Sequence, residues 1–77
     1  MNMKEIRELK LKVEDIVKAE LKEKEIIKII SCLQGLEIHF KRLIYMGTLD
    51  NLIKLATEHN KLYRVFIQNG NLVFRIH

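Results

Sequence analysis

Seventy-seven residues, 48% apolar and 31% charged, describe one folded domain over 1–77, because disordered chains lack the apolar side chains that offset ordering entropy. The formal charge is +4, with eight basic and seven acidic residues in 1–34 but six basic and three acidic in 35–77, so the basic half favours an anionic partner. A single cysteine excludes an internal disulfide, no paired Cys and His spacing marks a zinc site, and no run nears the ~20 apolar residues that span a bilayer.

The expectation is a cytoplasmic chain with no metal, no cofactor and no membrane span. The opening "MNMKEIRELK" lacks the apolar stretch of an export leader. A chain this short buries only about 60% of its unfolded surface, which makes self-association an expectation too.

From Lys4 to Glu20, Ile6, Leu9, Val13, Ile16 and Val17 recur at steps of three and four, the stripe of an amphipathic helix. Continuing that register places Glu20 and Glu23 in the seam, so a bend or short connection is expected near "ELKEKE". In "EIIKIISCL", Ile26, Ile29, Ile30 and Leu33 form one stripe with Ile27 beside it. This reads as a buried helix ending at Gly35 as a C-cap, although its β-branched content also permits a buried strand.

The segment "GLEIHFKRLIYMG" admits two periods. With period two, Leu36, Ile38, Phe40, Ile44 and Met46 share a strand face. With period 3.6, Leu36, Phe40, Leu43 and Ile44 form a helical stripe. Helix is the expectation and strand the alternative.

Residues 48–60 read as a third helix. Thr48 is its expected N-cap, Asp50 suits the first turn, and Leu49, Leu52, Ile53 and Ala56 form its apolar stripe, with Asn60 and Lys61 at its end. The terminal "LYRVFIQNGNLVFRIH" predicts a hairpin over 62–68 and 71–77, because Asn69-Gly70 favours a type I′ turn in which both central residues have positive φ. That turn opposes Ile67 to Leu72, Val65 to Phe74 and Tyr63 to Ile76 on one face. On the other it opposes Gln68 to Asn71, Phe66 to Val73 and Arg64 to Arg75. The first face is expected against the helices, since a bare hairpin is marginal in water.

The fold class is therefore α+β: N-terminal amphipathic helices, a helix at 48–60 and a C-terminal β-hairpin. In the alternative, residues 36–46 are a strand joining a three-stranded sheet covered by helices.

Arg64 and Arg75 are the most informative pair. Like charges directly opposite on a sheet are destabilising unless an anion or carboxylate lies between them. A phosphate or an acidic partner chain would answer the cost, with Phe66 and Val73 beside it as partner surface. So would Glu58, Glu37 or a glutamate of the first helix in the same molecule. On the helix 48–60, Asp50, Asn51, Lys54, Thr57, Glu58 and Lys61 point away from the apolar stripe. As a recognition surface, Asn51 and Lys54 would reach bases and Lys61 a phosphate; as an ordinary helix face they would meet water. His39, His59 and His77 are scattered, Cys32 sits in an apolar run, and no phosphate loop, nucleophile triad or paired-carboxylate motif occurs, so catalysis is not expected.

With the strand alternative set aside, residues 23–77 run helix, helix, glycine turn, helix and hairpin. "HFKRLIYMGTLDNLIKLA" followed by "HNKLYRVFIQNGNLVFRIH" resembles the winged helix-turn-helix superfamily, although the tip "QNGN" carries no cation for a minor groove. The resemblance implies a small transcriptional regulator that binds double-stranded DNA as a dimer. Asn51, Lys54, Thr57 and Lys61 would read the DNA, while Lys41, Arg42, Arg64 and Arg75 would meet phosphates. The helix 4–20 would be an appended dimerisation element using Ile6, Leu9, Val13 and Ile16. The other reading is a non-catalytic homo-oligomeric interaction module, such as an antitoxin-like or virus-encoded inhibitor, whose partner is an acidic protein.

Overall fold

Helix α1 spans Met3–Glu20. It opens on Asn2, whose Oδ1 accepts the Glu5 N–H at 2.8 Å, an N-cap that answers one of the unpaired amides of the first turn. Ile6, Leu9, Val13 and Val17 form its buried stripe, and Ile16 packs beside them half-buried. The computed structural model describes residues 2–20, 26–32, 35–41 and 46–77. The expected break near "ELKEKE" falls mostly outside these residues.

The next two elements differ from expectation. Ile26–Cys32 is strand β1 and Gly35–Phe40 is strand β2, paired antiparallel. Isoleucine is stiff at χ1 and packs well on a pleated surface, so a short β-branched run takes a strand when a partner is available. The partner is the contested segment, whose period-two reading holds through Phe40: Leu36, Ile38 and Phe40 are all fully buried. Residues 42–45 of that segment lie outside the described residues, and Met46, the last residue of its period-two face, is not in a strand but opens the next helix. Gly35 is not a helix cap. It opens β2, where a Cβ would come within 1.9 Å of the Ile76 carbonyl oxygen, so the residue permits a close approach of backbones.

Helix α2 spans Met46–Glu58 and begins two residues before Thr48, which is buried inside the helix and is not its cap. Its C-terminal end is well defined. Asn60 takes φ 56°, the Lys61 N–H reaches the Ala56 carbonyl at 2.9 Å and the Asn60 N–H reaches that of Thr57 at 3.0 Å. This is a Schellman closure with asparagine in the left-handed position. Strands β3 (Tyr63–Gln68) and β4 (Asn71–Ile76) form the expected hairpin in the expected register, with positive φ at Asn69 and Gly70.

The element order is thus helix, strand, strand, helix, strand, strand. Strands stand where the resemblance implied the two helices ahead of α2. The sheet is antiparallel throughout and has four strands, ordered β1-β2-β4-β3. It has one strand more than the three-stranded alternative, because β1 is also extended.

Side chains alternate across the sheet. Leu36, Ile38 and Phe40 of β2 and Leu72, Phe74 and Ile76 of β4 point to one face, where they share a core with Ile6, Leu9, Val13 and Val17 of α1 and Leu52, Leu55 and Ala56 of α2. Both helices therefore cover this inner face. The cover is incomplete: Tyr63, Val65 and Ile67 of β3 point the same way but are 43%, 41% and 60% exposed. Tyr63 stacks on Phe74 with ring centroids 5.7 Å apart.

Candidate functional site

The outer face of the sheet follows from the same alternation. The registers place Ile30, Glu37, Arg75 and Arg64 in one row across the four strands, and Lys28, His39, Val73 and Phe66 in the next. No described helix packs on this face. Glu37 is its centre. Its Oε2 accepts the Arg75 Nε–H at 2.7 Å and a second bond from Nη2 of the same guanidinium, while its Oε1 lies 3.0 Å from His39 Nε2. The bonds from His39 and then Arg75 hold the Glu37 carboxyl below its ordinary value of 4.5, since both stabilise the charged form. The His39 ring is largely buried, and Val73, flanked by His39 and Phe66, is fully buried.

Glu37 settles only half of the like-charge pair. Arg75 is bound by it, whereas Arg64, directly opposite Arg75, is exposed and makes no ion pair among the described residues. Both guanidiniums lie over the Phe66 ring, with Cζ 6.0 Å and 5.7 Å from its centroid, distances at which the ring's negative face attracts a cation. The face therefore presents a half-buried aromatic ring between two cations, one anchored and one open to an incoming anion. No hydroxyl-bearing side chain stands among the described strand residues of this face, and no group of three His, Cys, Asp or Glu that could hold a metal occurs among the described residues.

The sequence-derived candidates fall into separate places. Arg64, Arg75, Phe66 and Val73 come together on the outer face. Lys54 and Thr57 are exposed on α2 and Asn51 is half-buried there, on the other side of the sheet from the arginines. One contiguous surface does not contain both sets. The Thr57 hydroxyl donates to the Ile53 carbonyl at 2.9 Å, and Lys61 pairs with Glu5 of α1 at 2.7 Å. That pairing holds the Glu5 carboxyl below its ordinary value. Lys12 and His59 make a second polar link between α1 and the end of α2, at 3.1 Å. Lys41 is exposed just after β2, and Arg42 lies outside the described residues. Ile6, Leu9 and Val13, expected as dimerisation contacts, are buried in the chain's own core, and Ile16 packs against it.

His39 was not among the candidates. Its signal was the strand reading of 35–40, which puts Glu37 and His39 together on the face opposite Leu36, Ile38 and Phe40. No described helix is long and apolar enough to cross a membrane. No family model, no curated protein and no solved structure matches the chain.

Proposed function

We propose that the chain is a non-catalytic interaction module that docks an acidic segment of another protein on the outer face of its sheet. The observation that carries this reading is the asymmetry of the arginine pair: Arg75 is held by Glu37, while Arg64 beside it lies over Phe66 and makes no ion pair among the described residues. An acidic side chain seated against the Arg64 guanidinium, clear of the Phe66 ring face, would pair with Arg64 and relieve its repulsion with Arg75, the mode in which arginine clusters recognise acidic motifs. Glu37 and His39 act as the frame that orients Arg75. Double-stranded DNA is the other anionic partner that the +4 charge admits. A duplex would meet α2 or the arginines but not both, because the two sets lie on opposite sides of the sheet.

The test is a titration of the full chain, followed by NMR, with a glutamate-rich peptide and separately with duplex DNA at low salt. The expected result is movement of the Arg64 side-chain and Phe66 ring signals with the peptide, lost in Arg64→Ala. Duplex binding that moves Asn51, Lys54 and Thr57 and weakens steeply with salt would replace this reading with the regulator reading. No response at Arg64 to the peptide would overturn the proposal.

A further inference from the structure

Strand β3 is an open edge of the sheet, and its openness has a definite phase. Leu62 and His77 exchange both backbone bonds, each N–H to the other's carbonyl at 2.9 Å. Antiparallel pairs alternate between bonded and non-bonded. Arg64, Phe66 and Gln68 therefore turn their backbone groups toward β4, and Tyr63, Val65 and Ile67 turn theirs outward. The same three residues carry the exposed apolar side chains of the inner face. A row of backbone groups with no partner among the described residues and a strip of exposed apolar surface thus coincide.

The other edge is built differently. On β1 the register slips between Ile26 and Lys28, and Lys28 is exposed. Bulges and edge lysines are the devices by which sheets avoid pairing with one another. Over Tyr63–Gln68, β3 has no bulge, no proline and no lysine, and its six residues pair regularly with β4.

We propose that this edge pairs with the same edge of a second copy, antiparallel about a two-fold axis at Val65, joining two four-stranded sheets into one. Val65 then faces Val65, and Tyr63 faces Ile67 in both directions, so every outward N–H and C=O of these three residues gains a partner. The apolar side chains of both copies stay on one face. A slip of one residue would turn them to opposite faces. Of the next registers that keep the phase, one sets Arg64 directly against Arg64 of the second copy. The other sets Tyr63 against Asn69 in the turn, where the strand has ended. The Val65 register instead places Arg64 opposite Phe66 of the second copy, the same kind of contact that it makes with its own Phe66. The contact is isologous and closes on itself, as two-fold interfaces do. It is argued from the backbone phase of the rim and not from the acidic-partner reading, and it leaves the Arg75–Glu37 centre open, although Arg64 and Phe66 take part in both contacts.

Light scattering on the full chain across a concentration series, with amide exchange by NMR at its two ends, tests the pairing. The expected mass is about twice 9.2 kDa at the concentrated end. Tyr63, Val65 and Ile67 amides should be slow there and fast on dilution, while Arg64 and Phe66 are protected throughout. Val65→Lys, which sets two ammonium groups on the axis, should halve the mass with far-UV circular dichroism unchanged; if that variant misfolds, the wild-type exchange pattern decides. A monomer at every concentration overturns the inference. So does a dimer in which Tyr63, Val65 and Ile67 exchange fast, or a folded Val65→Lys that keeps the doubled mass.

Discussion

Replacing Glu37 with glutamine keeps the shape of the side chain and removes the charge on which the outer face is organised. Glu37 accepts bonds from His39 at 3.0 Å, from Arg75 Nε at 2.7 Å and from Arg75 Nη2. A hydrogen bond to a charged group contributes about 1.5–3 kcal/mol. The Arg75 side chain is 39% exposed, so solvent screening brings its ion-pair share to about 0.5 kcal/mol. Glutamine keeps one acceptor oxygen, and the loss of charge leaves Arg64 and Arg75 opposed without a carboxylate, a further cost of about 0.5 kcal/mol. The net expectation is about 1 kcal/mol, a drop in Tm of roughly 4–8 °C for a domain of this size. Thermal unfolding followed by circular dichroism measures it.

Two signatures separate this account from a simple packing loss. Because the folded-state Glu37 carboxyl titrates below 4.5, its contribution is complete above that pH and lost as pH falls through the folded value. The gap between wild type and Glu37→Gln therefore closes on acidification. In addition, Arg64→Ala should be near neutral in the wild type but should recover about 0.5 kcal/mol in the Glu37→Gln background. A gap that does not change with pH, or an Arg64→Ala effect equal in both backgrounds, would refute the electrostatic reasoning.

The two glycines that flank the contested segment should respond in opposite senses. Gly35→Ala forces a Cβ against the Ile76 carbonyl and should cost about 2–3 kcal/mol, as overpacking does. Gly47, inside α2, has nothing within 4 Å of the position of a Cβ, so Gly47→Ala should stabilise by about 0.5–1 kcal/mol through lost unfolded-state entropy. Urea titration ranks the pair, and equal or reversed effects would contradict the placement of β2 against β4. Leu9→Ala, at a position 1% exposed, should cost about 2–5 kcal/mol. Leu11→Ala, 63% exposed on the same helix, should stay within about 0.5 kcal/mol. A Leu9→Ala cost below about 1 kcal/mol would mean that α1 does not dock as described.

The elements that local chemistry governs were legible. The stripe of Ile6, Leu9, Val13 and Val17 marked α1, and that of Leu52, Ile53 and Ala56 marked α2, because one amphipathic period suffices to orient a helix. Asn69-Gly70 set the turn of the hairpin, and with it every opposed pair from Tyr63–Ile76 to Gln68–Asn71. The like-charge pair Arg64–Arg75 was visible from that register alone. Glu37 was one of several carboxylates able to answer it, and choosing it needed the β2–β4 pairing, in which Glu37 lies beside Arg75 across a separation of 38 residues.

Residues 26–40 show where local reasoning ended. Their isoleucines, Phe40 and Leu36 satisfy a helical stripe and a strand face nearly equally, and a short apolar run carries no further information about its own conformation. The choice came from elsewhere in the chain: the free side of β4 required a hydrogen-bonding neighbour, β2 supplied it, and β1 then paired on β2. The same tertiary arrangement left β3 beyond the reach of the helices, so Val65 and Ile67 are exposed while their partners Phe74 and Leu72 are buried. The sequence by itself determined the period of α1, of α2 and of the terminal hairpin, but not that of residues 26–40. Only the packing of the sheet decided which of those faces met a neighbour, because burial and pairing belong to two segments at once.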